Sequence, residues 1–585
     1  MSEQALVDLS KLFSQGSRAG RIFQRTAQVP LETVLGFRRL NEVYRGICRR
    51  GIADPERNFF DHSLDELGVR YRIESGSLEN IPSTGPVFIV ANHPFGGVDG
   101  LILGSLILSR RGDSRILANS LLNRMPEIEK HVIAVNPFGT VKATRENSGG
   151  LREAKKWLSD GHCLATFPSG FVSYYQPDSQ RVSDAPWHPN IARICRRQKA
   201  TVVPVFIEGI NSDAFQILGR LHPRVRTALL VRELFNKREE VVIRIGTAIP
   251  PTRFQEFEDD ASLSRYFQMC SEILHHQEQR PPEKAVSKSQ PVAERQPVEL
   301  LHKDVAELPA ECLLFEKGDL GIYCAKAFQI PHILHEIGRT RELTFRPVGE
   351  GTGKPLDLDH YDQHYHHLFL WNSATSELIG AYRIGMVDRI LAEHGFEGLY
   401  SNTIFEYSDD AFESMGEGKT LELGRSYIVP NYQRRGTSLF LLWRGIVKFI
   451  RKNPGYTKLF GAVSISDQYH PLSQALIVRF LKRKKLQGGF ENKIRARKNP
   501  TCETHRSLRA FDFPGALPSL EDVSGLVSEL EPDKKGVPTL LKHYLKLNGV
   551  ILGIGVDQGF SDALDGFILV DIEKIDPAML RKYEG

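Results

Sequence analysis

Five consecutive apolar residues, Val87-Phe88-Ile89-Val90-Ala91, run directly into Asn92-His93-Pro94-Phe95-Gly96-Gly97-Val98-Asp99-Gly100. So short and unbroken an apolar run predicts a buried strand. The glycine-rich tract behind it places His93 and Asp99 on the strand's exit loop. Histidine takes up a proton near neutral pH, and a nearby carboxylate fixes its tautomer and stabilises the imidazolium. A hydroxyl held against such a pair becomes a usable nucleophile.

Further strands are expected at 132–135, 164–167, 202–207 and 241–245, with helical patterns between them. The chain has 585 residues, too many for one core, and the usual domain size implies two to four folding units. Residues 277–299 contain Pro281-Pro282, Pro291 and Pro297 among charged residues and few large apolar ones, which reads as a linker. It divides the chain into 1–276 and 300–585. Helix and strand patterns alternate in both, so the expected fold class is α/β: two mixed domains that are not repeats of each other.

Residues 31–50 carry Leu31, Val34, Leu35, Phe37, Leu40, Val43, Tyr44 and Ile47 at helical spacing, beside Arg38, Arg39, Arg45, Arg49 and Arg50. Such a helix either lies on an anionic membrane surface or packs on its own domain with a solvated basic face. The net charge of +5 carries no nucleic-acid signature, and no nucleic-acid partner is expected. Seven cysteines without CxxC spacing argue against a zinc site or a disulfide framework. Neither a cleaved signal nor a membrane-spanning stretch is expected, which points to a cytoplasmic protein, peripheral to the inner face of the membrane.

The tract around His93 is followed by Phe167-Pro168-Ser169-Gly170-Phe171-Val172-Ser173 and by Val203-Pro204-Val205-Phe206-Ile207-Glu208-Gly209. In this order the three tracts resemble the lysophospholipid-type acyltransferases over roughly residues 80–250. The resemblance implies that His93 is the general base and Asp99 its partner, with Phe167, Pro168, Ser169 and Gly170 lining the acceptor site. Two departures stand out. Five residues rather than four separate His93 from Asp99, which Gly96 and Gly97 can absorb through φ angles closed to other residues. Ser169 stands where the family has glutamate, which suggests an acceptor other than glycerol phosphates. The family's arginine tract is replaced by Val135-Asn136-Pro137-Phe138-Gly139 with Lys142 and Arg145 nearby, and NHPFGGVDG resembles a subgroup that acylates lyso-aminolipids.

In the second half, residues 420–429 alternate as a strand, and Pro430-Asn431-Tyr432-Gln433-Arg434-Arg435-Gly436-Thr437-Ser438 turns into a helical stretch at 439–451. A strand that feeds a turn and a helix N-terminus is a natural seat for phosphate or pyrophosphate, and Gly436 permits close backbone approach. Gln433-x-x-Gly436-x-Ser438 resembles the donor loop of the GNAT acyltransferases. Together with Arg339, Arg341, Glu342 and the tract from Asp359 to His367, the region 310–500 resembles the N-acyltransferase that starts ornithine-lipid synthesis. That implies donor binding by Arg425, Gln433, Arg435 and Gly436, acceptor binding by Asp359 and Asp362, and proton acceptance by Glu422. The same tract offers His364, His366 and His367 as metal ligands on paper, but in an extended strand the last faces away from the other two, and no metal is expected.

The two resemblances together imply a bifunctional enzyme: the C-terminal domain N-acylates ornithine with a 3-hydroxyacyl chain, and the N-terminal domain then O-acylates the new 3-hydroxyl. No cofactor is expected beyond a thioester co-substrate, acyl carrier protein or CoA. The basic run Lys482, Arg483, Lys484, Lys485, Lys493, Arg495, Arg497 and Lys498 suits an acidic carrier protein or a membrane surface. Two alternatives stay open: a lysophosphatidic acid acyltransferase with a non-catalytic second half, and a haemolysin-like membrane-associated protein with inactive sites.

Overall fold

The structure, a computed structural model, describes residues 36–584 except 120–124, 136–140, 178–179, 219–228, 239, 278–288, 434–435, 485, 487, 503–516 and 561. The chain divides into two compact units, 1–279 with 509–522 and 280–508 with 523–585. The sequence-based boundaries need two corrections. Gln290 and Ala293 donate backbone hydrogen bonds to the Gly353 and Pro355 carbonyls, so part of the expected linker is built into the second unit. Residues 517–522 group with the first unit, where the buried Asp522 carboxylate takes a hydrogen bond from Arg253 at 2.5 Å.

In the first unit, β1 (Tyr71–Ser75), β2 (Val87–Ala91), β3 (Ser114–Asn119), β4 (Val132–Val135), β5 (Cys163–Thr166), β8 (Thr201–Ile207) and β9 (Val241–Ile245) form one sheet; β6 (Tyr174–Gln176) and β7 (Arg181–Ser183) pair as a separate hairpin. The sheet order is β1-β9-β8-β2-β5-β3-β4, parallel throughout except between β8 and β9. Every residue of β2 is buried, as its unbroken apolar run requires. The strands β1 and β3 escape the sequence reading because each begins or ends on polar residues, YRIES and SRILAN. Since β8, β2 and β5 are parallel neighbours, their carboxyl ends lie side by side, and these are the ends that carry the three motif tracts. Ligands of open parallel sheets bind at such ends.

The basic helix runs from Phe37 to Ala53. Ile47 is buried, Tyr44 donates to Glu127 at 2.8 Å, and Arg38, Arg39, Arg45, Arg49 and Arg50 stay exposed. The helix therefore packs on its own unit through Ile47 and Tyr44 and keeps its basic residues on the exposed side. Residues 31–35 lie outside the described residues. Among the described residues no helix is long and apolar enough to cross a membrane.

The second unit holds an eight-stranded sheet in the order β10-β11-β12-β13-β15-β16-β19-β18: β10 (Leu313–Lys317), β11 (Leu320–Lys326), β12 (His366–Asn372), β13 (Glu377–Met386), β15 (Lys419–Ile428), β16 (Tyr456–Ile465), β18 (Val550–Asp557) and β19 (Ala563–Asp571). The short strands β14 (Phe405–Tyr407) and β17 (Ile494–Ala496) pair separately. All neighbours in the large sheet are antiparallel except β15 and β16, which the helix Thr437–Lys452 connects. That parallel pairing covers only Lys419–Glu422 against Tyr456–Phe460, after which β16 continues along β19 and β15 along β13. A gap therefore opens in the middle of the sheet, just beyond Glu422.

At the base of this gap Gly461 faces the Leu423 carbonyl so closely that a Cβ would lie 2.2 Å from that oxygen. Gly461→Ala is expected to push β15 and β16 apart and to lower stability by about 1–3 kcal/mol, read as a lower urea midpoint; an unchanged midpoint would mean that the strands tolerate the separation.

Candidate active sites

At the end of β2 the Asn92 side chain donates to the Ile207 carbonyl at 2.9 Å and accepts the Ile207 N–H at 2.7 Å, which ties β2 to β8 beyond their last ladder bond. The next residue, His93, is positioned from three sides. Its backbone N–H donates to Asp184 Oδ1 at 3.1 Å, its carbonyl accepts the Ser173 N–H at 2.8 Å, and its ring stacks on Phe167 with centroids 4.0 Å apart. Its Nδ1 lies 2.9 Å from Asp99 Oδ2.

Asp99 is not on the exit loop, as the sequence suggested, but in the first turn of the helix Gly97–Arg110. Its side chain is fully buried, and Oδ2 also accepts the backbone N–H groups of Phe95 (2.8 Å) and Gly96 (2.9 Å). The extra residue between His93 and Asp99 is absorbed at Gly96, with φ +92° and ψ −113°, a backbone shape that side chains oppose. Gly97 lies in the helix and does not share the task. An aspartate that accepts from Nδ1–H leaves the Nε2 lone pair for an incoming proton. Nε2 has no hydrogen bond among the described residues, and the side chain keeps 18% of its surface exposed.

The acceptor tract at the end of β5 is arranged differently from expectation. Phe167 forms the stacking floor for His93, but Ser169 is buried and its hydroxyl donates to the Phe171 carbonyl at 2.7 Å. Gly170 closes the same turn with φ +69°, and the carbonyl of the buried Pro168 accepts the His188 N–H. Ser169 therefore holds a turn. The arginine-tract substitute at 136–139 lies outside the described residues, as do the side chains of Lys142 and Arg145.

Sequence reasoning missed two residues here. Asp184, bonded to Ser173 Oγ, Trp187 Nε1 and the His93 amide, is a buried carboxylate whose pKa is pushed up by burial and drawn back by those donors. Arg238 lies over the Phe95 ring at 4.6 Å, and the Asp99 and Glu233 charges act on its guanidinium. Neither stands in a motif, and only their three-dimensional placement reveals them. A cavity of about 170 Å3 adjoins the His93 loop, walled by Asn92, Pro94, Asp184, Glu208, Arg181 and Glu272. Phe171, Ile210 and Ile217, on or just after the exit segments of β5 and β8, are exposed.

The second site centres on buried arginines. Arg341 and Arg383 are fully buried, and Arg383 donates to Asp359 Oδ1 at 2.6 Å. Asp362, 1% exposed, accepts from Arg341 at 2.9 Å, from Arg383 at 3.4 Å and from the Asp359 N–H at 2.9 Å. Burial alone would raise its pKa, but the two guanidinium groups hold it well below the carboxylate range. Asp362 is thus committed to neutralising buried arginines, not to the acceptor role expected of it. Asp359 keeps 23% of its side chain exposed.

Glu422 sits on β15 at the base of the gap, 3% exposed. One carboxylate oxygen accepts from the Tyr365 hydroxyl and the other from the Ser401 N–H at 2.8 Å; burial raises its pKa while these donors oppose the rise. Both oxygens being engaged, Glu422 buttresses the Tyr365–Arg383 cluster and is not an open base. Arg425 follows at φ +48°, in the left-handed region, where the β13–β15 register slips. Its guanidinium lies between the Tyr400 ring (4.9 Å) and the Phe560 ring (4.8 Å).

In the expected donor loop, Gln433 is exposed and donates to the Ile428 carbonyl at 2.9 Å, and Gly436 is the left-handed residue preceding the helix Thr437–Lys452; Arg435 lies outside the described residues. The histidine tract does not lie along one strand, because β12 begins at His366. His364 bonds the Gly398 carbonyl and His367 the Asp362 carbonyl, and burial lowers the pKa of His367 to about 4. In the basic run Lys493, Arg497 and Lys498 pair with Asp410, Glu406 and Asp562, while Lys482, Arg483 and Arg495 are exposed; Lys485 and the Lys484 side chain lie outside the described residues.

Comparison with known proteins finds a match to the Acyltransferase family over residues 37–256 and to the Acetyltransferase (GNAT) domain over residues 340–444. The glycine N(alpha)-acyltransferase of Phocaeicola vulgatus is 30% identical over 268 residues, 43% of this chain and 80% of its own. The lyso-glycine lipid O-acyltransferase of the same organism is 26% identical over 235 residues, 37% of this chain and 81% of its own. The L-ornithine N(alpha)-acyltransferase of Brucella abortus is 26% identical over 275 residues, 42% of this chain and 84% of its own.

Two substitutions test the geometry. Gly96→Ala forces a side chain into a positive-φ position with Leu230 only 3.0 Å from the new Cβ, and a strain of about 1–3 kcal/mol is expected to cut turnover at the His93 site by roughly tenfold or more, with little change at the second site. Asp362→Asn leaves Arg341 and Arg383 short of a counter-charge and is expected to destabilise the second unit by about 3–5 kcal/mol, visible as a lowered thermal midpoint; retention of the wild-type midpoint would contradict the role given to Asp362.

Proposed function

The chain belongs to the family of its glycine N(alpha)-acyltransferase relative and carries a second acyltransferase domain ahead of its GNAT domain, and from that premise we propose that it makes ornithine lipid in two steps. In the first step the second unit transfers a 3-hydroxyacyl chain from a thioester to the α-amine of ornithine. The C–N bond forms, the C–S bond breaks, the thiol leaves, and the ammonium proton is released. An amine above its pKa is already nucleophilic, so this site has mainly to position it.

In the second step the first unit acylates the 3-hydroxyl just introduced. An alcohol needs a base: His93 Nε2 takes its proton as the oxygen attacks a second thioester, and the imidazolium returns that proton to the departing sulfur. Asp99 keeps Nδ1 protonated and stabilises the imidazolium. The observation that carries this reading is the 2.9 Å His93–Asp99 contact, with Asp99 pinned by two backbone N–H groups and the ring stacked on Phe167. Relatives named for N-acylation of glycine or ornithine and for O-acylation of a lyso-lipid support the pairing of the two steps.

Acyl carrier protein is the proposed donor carrier, drawn to the exposed Lys482, Arg483 and Arg495. The exposed arginines of the helix Phe37–Ala53 are proposed to hold the enzyme at the anionic inner face of the cytoplasmic membrane, where the single-chain intermediate partitions.

The test is expression in a host without aminolipids, with mass spectrometry of extracted lipids. His93→Ala is expected to accumulate the mono-acylated amide and to lower the two-chain product by about 100-fold or more; normal two-chain lipid would overturn the assignment. Glu422→Ala is expected to remove both products, and supplied lyso-ornithine lipid to restore the two-chain species through the unaltered first unit. Preference for lysophosphatidate over lyso-ornithine lipid in purified enzyme would favour the phospholipid alternative instead.

A further inference from the structure

The ladder of β2 stops at Ala91, and the residue that carries the imidazole lies just beyond it. Asn92 is still tied to Ile207 of β8, but the N–H and C=O of His93 go to a loop instead. One closed ring of hydrogen bonds takes up both. The His93 N–H donates to Asp184 Oδ1 at 3.1 Å, the Ser173 hydroxyl donates to the same oxygen at 2.5 Å, and the Ser173 N–H donates to the His93 carbonyl at 2.8 Å. The other carboxylate oxygen, Oδ2, accepts from Trp187 Nε1 at 2.9 Å. Trp187 is itself fixed to the helix Asp260–Glu272: its backbone N–H donates to Gln268 Oε1 at 3.1 Å, and its carbonyl accepts the Ser264 hydroxyl at 3.2 Å. The backbone of His93 is thereby anchored, through one carboxylate, to a helix.

The choice of aspartate follows from its partners. A backbone N–H and an indole N–H can only donate, so the side chain between them must accept at both ends. A carboxylate does so, whereas one end of an asparagine is itself a donor. Donors on both oxygens favour the ionised form, which explains how a carboxylate is kept at a buried position. We propose that Asp184 is a positioning residue of the O-acylation site: through the His93 N–H and Ser173 it fixes the backbone that carries the imidazole, and so sets where Nε2 meets the acceptor hydroxyl.

This inference rests on the O-acylation reading of the first unit and adds to it a residue that does not touch the imidazole. The other contacts leave that task open. Asp99 binds Nδ1 and holds the chain after His93, at Phe95 and Gly96, and Phe167 supports the ring face. Asn92 holds the chain before it. Asp184 acts on His93 itself, where a backbone shift carries the whole ring with it. Displacement of a reacting group by about 1 Å costs about 100-fold in rate.

The experiment measures kcat and KM separately for O-acylation of supplied lyso-ornithine lipid by the purified full chain. Asp184→Ala opens both sides of the clamp and is expected to lower kcat by about 100-fold while KM changes by less than about threefold. Asp184→Asn keeps one acceptor but turns its amide on Trp187, donor against donor, and a loss in kcat of about tenfold is expected. Adding Trp187→Phe removes the competing donor and lets the asparagine oxygen face His93 again. The double variant is therefore expected to turn over at least about threefold faster than Asp184→Asn alone. A double variant no faster than Asp184→Asn overturns the clamp, as does Asp184→Ala with wild-type kcat or with its loss confined to KM. Should Asp184→Ala fail to fold, the comparison of Asp184→Asn with the double variant decides. His93→Ala separates the clamp from the reading beneath it: wild-type O-acylation in that variant would sink the reading. A crystal structure of Asp184→Asn then decides the clamp without any acyl transfer, a displaced His93 ring supporting it and a ring still stacked on Phe167 and bonded to Asp99 overturning it.

Discussion

A charge taken out of water must be met by opposite charge or by hydrogen-bond donors, and both halves of this chain are organised around that requirement. In the first unit the fully buried Asp99 carboxylate gathers two backbone N–H groups and the His93 imidazole onto one oxygen. The turn between strand and helix cannot relax without stripping the aspartate of its donors. Helix start, loop shape and imidazole orientation are thus one arrangement, and Asp184 repeats it on the other side of His93 by holding the backbone that carries the ring.

The second unit solves the same problem with guanidinium groups. Arg341, Arg383 and Asp362 neutralise one another in the interior, and Glu422 is saturated by Tyr365 and Ser401. Those groups hold one another in place, so the interior of the second unit is fixed by its own charges. The contrast fits the chemistry proposed for the two units: a hydroxyl requires a positioned base, whereas an amine requires a pocket that sets its approach.

Much of this was legible in the sequence because apolar runs and glycine placement are local signals. The run at Val87–Ala91 marked a buried strand, and the glycines after it marked the place where a longer His–Asp spacing is accommodated. Long-range pairings were not legible. The capture of Asp362 by two arginines and the engagement of both Glu422 oxygens depend on residues 21 to 57 positions away, and in each case a side chain read as facing substrate is held by the protein itself. Asp184 and Arg238 belong to no motif, and only the folded chain brings them beside His93 and Phe95. The His364–His367 tract shows the opposite limit: its residues are adjacent in sequence, but the strand starts partway through them.

Arg425 occupies a left-handed backbone position, where glycine would be easier to accommodate by about 1 kcal/mol. The strand therefore keeps a side chain that works against its own conformational preference. Relief of that local tension and retention of the guanidinium exclude each other: glycine here would ease the backbone and lose the contacts with the Tyr400 and Phe560 rings.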